Sequence, residues 1–135
     1  METVILLCDH AEAINGKLYI MGGGWTICSP GPRNMAVAVR INVPWTDANE
    51  KHKFALFLQD EAGRTIELGD PPKPVMQTGD FELGRPPGVV PGSDLDFTAV
   101  FGFIGLPLET HNGYRWQLEI NGEDSGHASF RTRTN

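Results

Sequence analysis

Asn15-Gly16 constrains this chain more than any other feature. The pair lies between two apolar runs, Val4–Cys8 and Leu18–Met21. Asn and Gly both tolerate the positive φ of a two-residue type I′ turn, which makes this the strongest short-range hairpin signal. A turn here sets Ile14 opposite Lys17, Ala11 opposite Ile20 and Cys8 opposite Gly23. Further along, Leu7 faces Gly24 and Leu6 faces Trp25. The register specifies a long N-terminal hairpin whose flanks need further strands beside them.

Those strands are legible downstream. In Asn34–Trp45, Met35, Val37, Val39, Ile41 and Val43 share one face, and Ala36, Ala38, Arg40 and Asn42 the other. This period of two marks a half-buried strand, which Pro44 ends. Thr46–Lys51 reads as a single helical turn with Thr46 as N-cap. Phe54, Leu56 and Leu58 define the next strand, which Asp60–Gly63 turns into a return over Arg64–Leu68. Val75–Leu83 is a weaker strand, Gly84–Asp94 a proline-stiffened loop, and Leu95–Ile104 a strong strand. In Tyr114–Ile120 the apolar Tyr114, Trp116, Leu118 and Ile120 alternate with polar residues. Hydrophobic matching places Ile120 opposite Ala128, Leu118 beside Phe130 and Trp116 beside Thr132, joined through 121–127.

No stretch keeps a helical period beyond a turn or two. The 16 glycines and ten prolines cluster between apolar runs and punctuate many short strands. The expected fold is all-β: one antiparallel β-sandwich domain over 1–135, with eight or nine strands and the N-terminal hairpin, Ig-like in architecture only. At 135 residues such a chain buries a core without disulfide or metal support.

Seventeen acids against 11 Lys and Arg give a net charge of −6, with no basic cluster. Phosphate neutralisation dominates nucleic-acid affinity, so neither nucleic acid nor an anionic membrane is an expected partner. Met-Glu-Thr lacks a basic n-region, and Val4–Cys8 is too short for a signal or a membrane span. A cytoplasmic location follows as the expectation. The two cysteines are then read as reduced thiols, since the hairpin register pairs Cys8 with Gly23 and not with Cys28.

Four blocks, HAEAINGKLYIMGGGW, MAVAVRINVPW, GRPPGVVPGSDLDF and YRWQLEINGE, cover most of the chain. Together they resemble a bacterial family of unknown function that is frequent in actinobacteria. The resemblance implies a small β-sandwich and carries no activity, cofactor or catalytic residue.

Candidate chemistry is sparse. Gly22-Gly23-Gly24-Trp25 could form a backbone cradle for an anion, but no helix follows it, and a bulge or close packing is the simpler reading. Cys8 and His10 stand two apart on one strand face, as a thiol and its base or two metal ligands would. They lack a third partner, and a buried strand cysteine usually fills core. The remaining histidines, His52, His111 and His127, show no ligand spacing. Asp94 and Asp96 could hold calcium with loop carbonyls, or simply solvate a strand edge.

No catalytic, cofactor or metal residue is assigned. The expected interaction or ligand surface comprises Trp25, Trp45, Arg85, Val89 and Val90, because aromatics beside polar turns anchor interfaces. The leading expectation is a non-catalytic interaction module that associates with itself or with another bacterial or phage protein. The alternatives are a small-ligand or carbohydrate-binding sandwich and, last, a metal- or thiol-dependent enzyme.

Overall fold

The computed structural model describes residues 1–110 and 112–134. Among these the chain order is β1 (Glu2–Ile14), β2 (Lys17–Gly23), β3 (Ile27–Cys28), β4 (Gly31–Val43), β5 (His52–Asp60), β6 (Glu67–Leu68), β7 (Lys73–Pro74), β8 (Met76–Phe81), β9 (Leu95–Leu108), β10 (Gly113–Ile120) and β11 (Glu123–Thr132). The one helical element among the described residues is a 3₁₀ turn at Trp45–Asp47. It follows Pro44 directly, and its N-cap is that proline rather than Thr46.

Two open sheets carry the structure, one ordered β2-β1-β4-β9 and the other β3-β11-β10-β5-β8. Their ladders are antiparallel, except where β3 runs parallel to β11 through Ile27 and Cys28. The return over Arg64–Leu68 is looser than a hairpin: Gln59 bridges Thr65, and β6 then pairs with β7.

The alternation in β4 dictates the core. Met35, Val37, Val39, Ile41 and Val43 are all buried, in one cluster with Leu56, Leu58, Trp116 and Leu118 of the other sheet. Aromatic pairs tie the two sheets together. Phe103 stacks on Trp116 at 4.4 Å between centroids, and Phe81 on Phe97 at 4.6 Å. The fully buried Trp116 satisfies its indole N–H on the Met35 sulfur at 3.4 Å.

The first hairpin has the register its turn dictates, with Ile14 opposite Lys17, Ala11 opposite Ile20 and Cys8 opposite Gly23. Asn15 and Gly16 both adopt positive φ. The Gly24 N–H donates to the Leu7 carbonyl. Between Cys8 and Ala11 the facing changes: both belong to one buried cluster although three residues apart, so the two-residue alternation slips around Asp9. Gly22 allows the slip, with φ of +61° and Asp9 lying where a Cβ would stand.

Beyond Cys8 the hairpin leaves β4 and lies across the outer side of β4 and β9. Ala11 and Leu18 pack there against Cys8, Ala36, Ala38 and Val100. The alanines of β4 are therefore not a solvated face. They are small because a second layer of chain rests on them.

The C-terminal hairpin differs from the register that hydrophobic matching gives. Trp116 pairs with Ala128, Tyr114 with Phe130 and Ile120 with Glu123. The connection is Asn121-Gly122, a second Asn-Gly turn with φ of 53° and 81°. A bulge between Leu118 and Glu119 absorbs the extra residue, and the Asp124 carboxylate holds it by accepting from the Gly126 N–H and the Gln117 amide. With the bulge in place, Ala128 and Phe130 face the core without the long connection.

The layer beneath the hairpin makes a checkable demand. Ala36→Leu should destabilise the protein by about 1–3 kcal/mol, the usual cost of overpacking, read from urea unfolding. A neutral outcome would mean the hairpin does not press on β4.

Candidate functional site

The slip at Asp9 gives the outer half of the hairpin two unlike sides. One side packs inward through Ala11 and Leu18. The other carries the cross-strand pairs His10–Met21, Glu12–Tyr19 and Ile14–Lys17. It faces solvent with large apolar groups: Ile14 is 46% exposed, Tyr19 54% and Met21 68%. The three sit on adjacent rungs of one ladder, where they act as a unit. The expected surface contains none of them. Their signal is the unbroken Leu18–Met21 run, which reads as sheet interior until β2 itself proves to be the last strand of its sheet.

The expected surface residues are divided between the two ends of the strands. Trp45 follows the end of β4, and Arg85 joins it from the Gly84–Asp94 loop. The Arg85 guanidinium lies 4.3 Å from the Trp45 ring centre and donates to the Trp45 carbonyl at 2.8 Å. Val89, in the same loop, is half-buried against the core, while Val90 is exposed. Trp25 sits at the opposite end of β4. Arg33 lies 4.7 Å above its ring, and Phe130 meets it edge-on at 5.8 Å. Each of these two tryptophans thus has one face taken by an arginine of its own chain, a cation–π contact that also removes a stacking platform.

Cys8 and His10 lie in different surroundings. Cys8 is fully buried and its thiol donates to the Ala36 carbonyl at 3.3 Å. His10 is exposed beside Glu12, with its ring 3.6 Å from that carboxylate. Burial pushes the Cys8 thiol up from its ordinary value, and the Asp9 carboxylate pushes it further. Burial also raises Cys28, against the opposing pull of Arg33 and Arg133. Both thiols are free.

His52 is buried and satisfied on both nitrogens, by the Asp47 carbonyl at 2.9 Å and the Asn121 amide at 3.1 Å. It holds the Asn121-Gly122 turn in place. His127 is exposed on β11, and His111 lies outside the described residues. Asp96 pairs with Arg40 at 2.9 Å across the β4–β9 ladder, which accounts for one of the two acids considered for calcium. Among the described residues, no three His, Cys, Asp or Glu side chains gather as a metal site. Gly22 and Gly23 end β2, Gly22 with positive φ, and the Gly24 N–H is taken by the Leu7 carbonyl.

Two adjoining cavities of about 660 and 610 Å³ open at the Trp25 end, separated by the Asp60–Arg64 turn. Leu58, Ile66, Leu106 and Tyr114 supply apolar wall to the larger, and Arg64 and Glu109 supply charge. Glu61 reaches across Gly113, where any side chain would collide with it, to pair with Arg131. The Asp60 carboxylate accepts the Ala62 and Arg64 N–H groups at 2.9 Å each. The Arg64 backbone bond is the first cause holding its pKa below the usual value, with the Arg64 charge adding to it.

These features define an all-β protein of two larger open sheets and a two-stranded one, without a helix long and apolar enough to cross a membrane among the described residues. A family model matches residues 3–133, and the chain belongs to that family, described as a family of unknown function (DUF6941). No curated protein and no solved structure matches it.

Two measurements check this account. At neutral pH a raised thiol pKa leaves little thiolate, so an aromatic disulfide reagent should label neither cysteine in the native protein and both in denaturant. Rapid native labelling would contradict the burial. For Asp60, whose folded pKa is lowered, the stabilisation is present above the unfolded value of about 3.9 and is lost as pH falls through the folded one. The stability gap between wild type and Asp60→Ala should accordingly be largest at neutral pH and shrink in acid. A gap independent of pH would show that the carboxylate charge does not hold the turn.

Proposed function

We propose that the chain is a non-catalytic β-sandwich interaction module of bacterial, cytoplasmic origin that associates with itself. The observation that carries this reading is the ladder of Ile14, Tyr19 and Met21, exposed on a hairpin whose other side is pinned to the body. Large apolar groups gathered on one exposed side are what interfaces use and solvated surfaces avoid. The buried thiol, set apart from His10, supports a role without nucleophilic chemistry. The shared core of the two sheets supports the sandwich architecture, and the bacterial origin comes from the sequence resemblance.

The residues of Val4–Cys8 are apolar on both sides, which is a weak argument for self-association. At Cys8 the second side is covered by the chain's own hairpin. Val4 and Leu6, nearer the N-terminus, remain exposed.

Binding of a small ligand is the second reading, favoured by the cavities beside the Asp60–Arg64 turn. Trp45 lies at the far end from them, so its role as the ligand's stacking partner finds no support in the geometry.

Native mass spectrometry over a concentration series tests both readings. Multiples of the 14.8 kDa chain are expected, with Tyr19→Ser and Met21→Ser together shifting the population to monomer. A small mass increment that survives these changes would favour the ligand. A monomer at every concentration would overturn self-association.

A further inference from the structure

We propose that two copies of this chain join edge to edge along β2, antiparallel, with the two-fold axis at Tyr19. The inference rests on the self-association reading and specifies its geometry. β2 is an edge strand whose one partner among the described residues is β1. In a two-residue hairpin Ile14 and Lys17 exchange both backbone hydrogen bonds. By alternation Glu12 and Tyr19 do the same, so Leu18 and Ile20 direct their N–H and C=O groups away from β1.

The other terminal strands are protected in ways proteins ordinarily use, and the part of β1 that leaves β4 beyond Cys8 carries Asp9 and Glu12. β9 contains Pro107, Asp96 and a left-handed Gly105. β8 carries Asp80 and follows a segment containing Pro74, and β3 is two residues long. β2 contains no proline, and its one charge is Lys17, at the turn end.

The register follows from where β2 stays extended. Gly22 departs from strand geometry at φ +61°, which leaves 17–21 as the straight segment, and Tyr19 is its centre. About that centre Leu18 of each copy meets Ile20 of the other, as the pair that exchanges hydrogen bonds. Tyr19 meets Tyr19 in the closer, non-hydrogen-bonded position, which favours aromatic pairs.

The charges are compatible with this arrangement. The two Lys17 side chains lie at opposite ends of the contact, each beside Met21 of the second copy. No like charges meet on the pairing edge. The contact joins two four-stranded sheets into one of eight. An edge this short covers less than the roughly 1,200 Å² at which stable interfaces begin, so the dimer is expected to be reversible and to form in the micromolar range.

The test is site-directed cross-linking beside native mass spectrometry of the wild type. Tyr19→Cys places two thiols across the axis and should give a covalent dimer under mild oxidation. Met21→Cys places its thiols four residues apart in register and should not. A wild-type dimer with this pattern supports the proposal. A dimer in which Tyr19→Cys fails to cross-link, or cross-links no better than Met21→Cys, overturns the β2 contact and leaves self-association standing. A wild type that stays monomeric at several hundred micromolar, with neither variant cross-linking, overturns both.

Discussion

The structure depends on burying both faces of one strand. β4 presents Met35, Val37, Val39, Ile41 and Val43 to the other sheet, and Ala36 and Ala38 to the hairpin folded over its back. The two faces differ in size because the layers they meet differ in depth. The inner face meets Trp116 and three pairs of rings that span the sheets (Phe103–Trp116, Phe81–Phe97 and Phe54–Phe101), where large branched groups fill space. The outer face meets a hairpin that must come close, and only alanine, with Cys8 and Val100 beside it, leaves room. The slip at Asp9 and the left-handed Gly22 follow from this demand. They turn the apolar side of the hairpin toward β4 after β1 has already used its other side for the core.

The same slip produces the exposed surface. A regular hairpin would carry its alternation unbroken from Cys8 outward, with Ala11 on the opposite side. Shifted by one, it packs Ala11 and Leu18 inward and leaves Ile14, Tyr19 and Met21 in solvent. The surface is therefore a consequence of how the outer face of β4 is covered. Changes to that packing and changes to the surface are coupled through the glycines at the base of the hairpin.

The first hairpin was legible because its turn chemistry and its hydrophobic register agree. At the second they disagree locally. Asn121-Gly122 carries the same turn signal as Asn15-Gly16, but a strict two-residue pairing across it runs into the bulge opposite Leu118 and Glu119. Hydrophobic matching without a bulge slides the strand by four residues, which keeps the faces right and the partners wrong. The alternation of β4 exposed the core directly. Its outer alanines read as solvated, because nothing local announces that a distant hairpin will fold over them. The tryptophans read as open platforms because the arginines that cover them, Arg33 and Arg85, lie eight and forty positions away in the chain. Tyr19 and Met21 went unmarked for the converse reason: an apolar run in an edge strand looks the same in sequence as one in a central strand.

Edge strands also show why the loops at the Trp25 end and the outer hairpin differ in character. At the Trp25 end the turns and loops enclose volume, and their charged groups, Asp60, Glu61 and Glu109, are bonded to neighbouring residues. The acids of that end are paired, with space left over. The hairpin has the reverse condition. It holds backbone groups directed away from β1 and apolar side chains without cover. A backbone donor or acceptor in water costs little, but one flanked by large apolar groups gains most when a strand completes it, since hydrogen bonding and apolar burial then come from the same contact. A further strand of matching character supplies both at once, and β2 itself has that character.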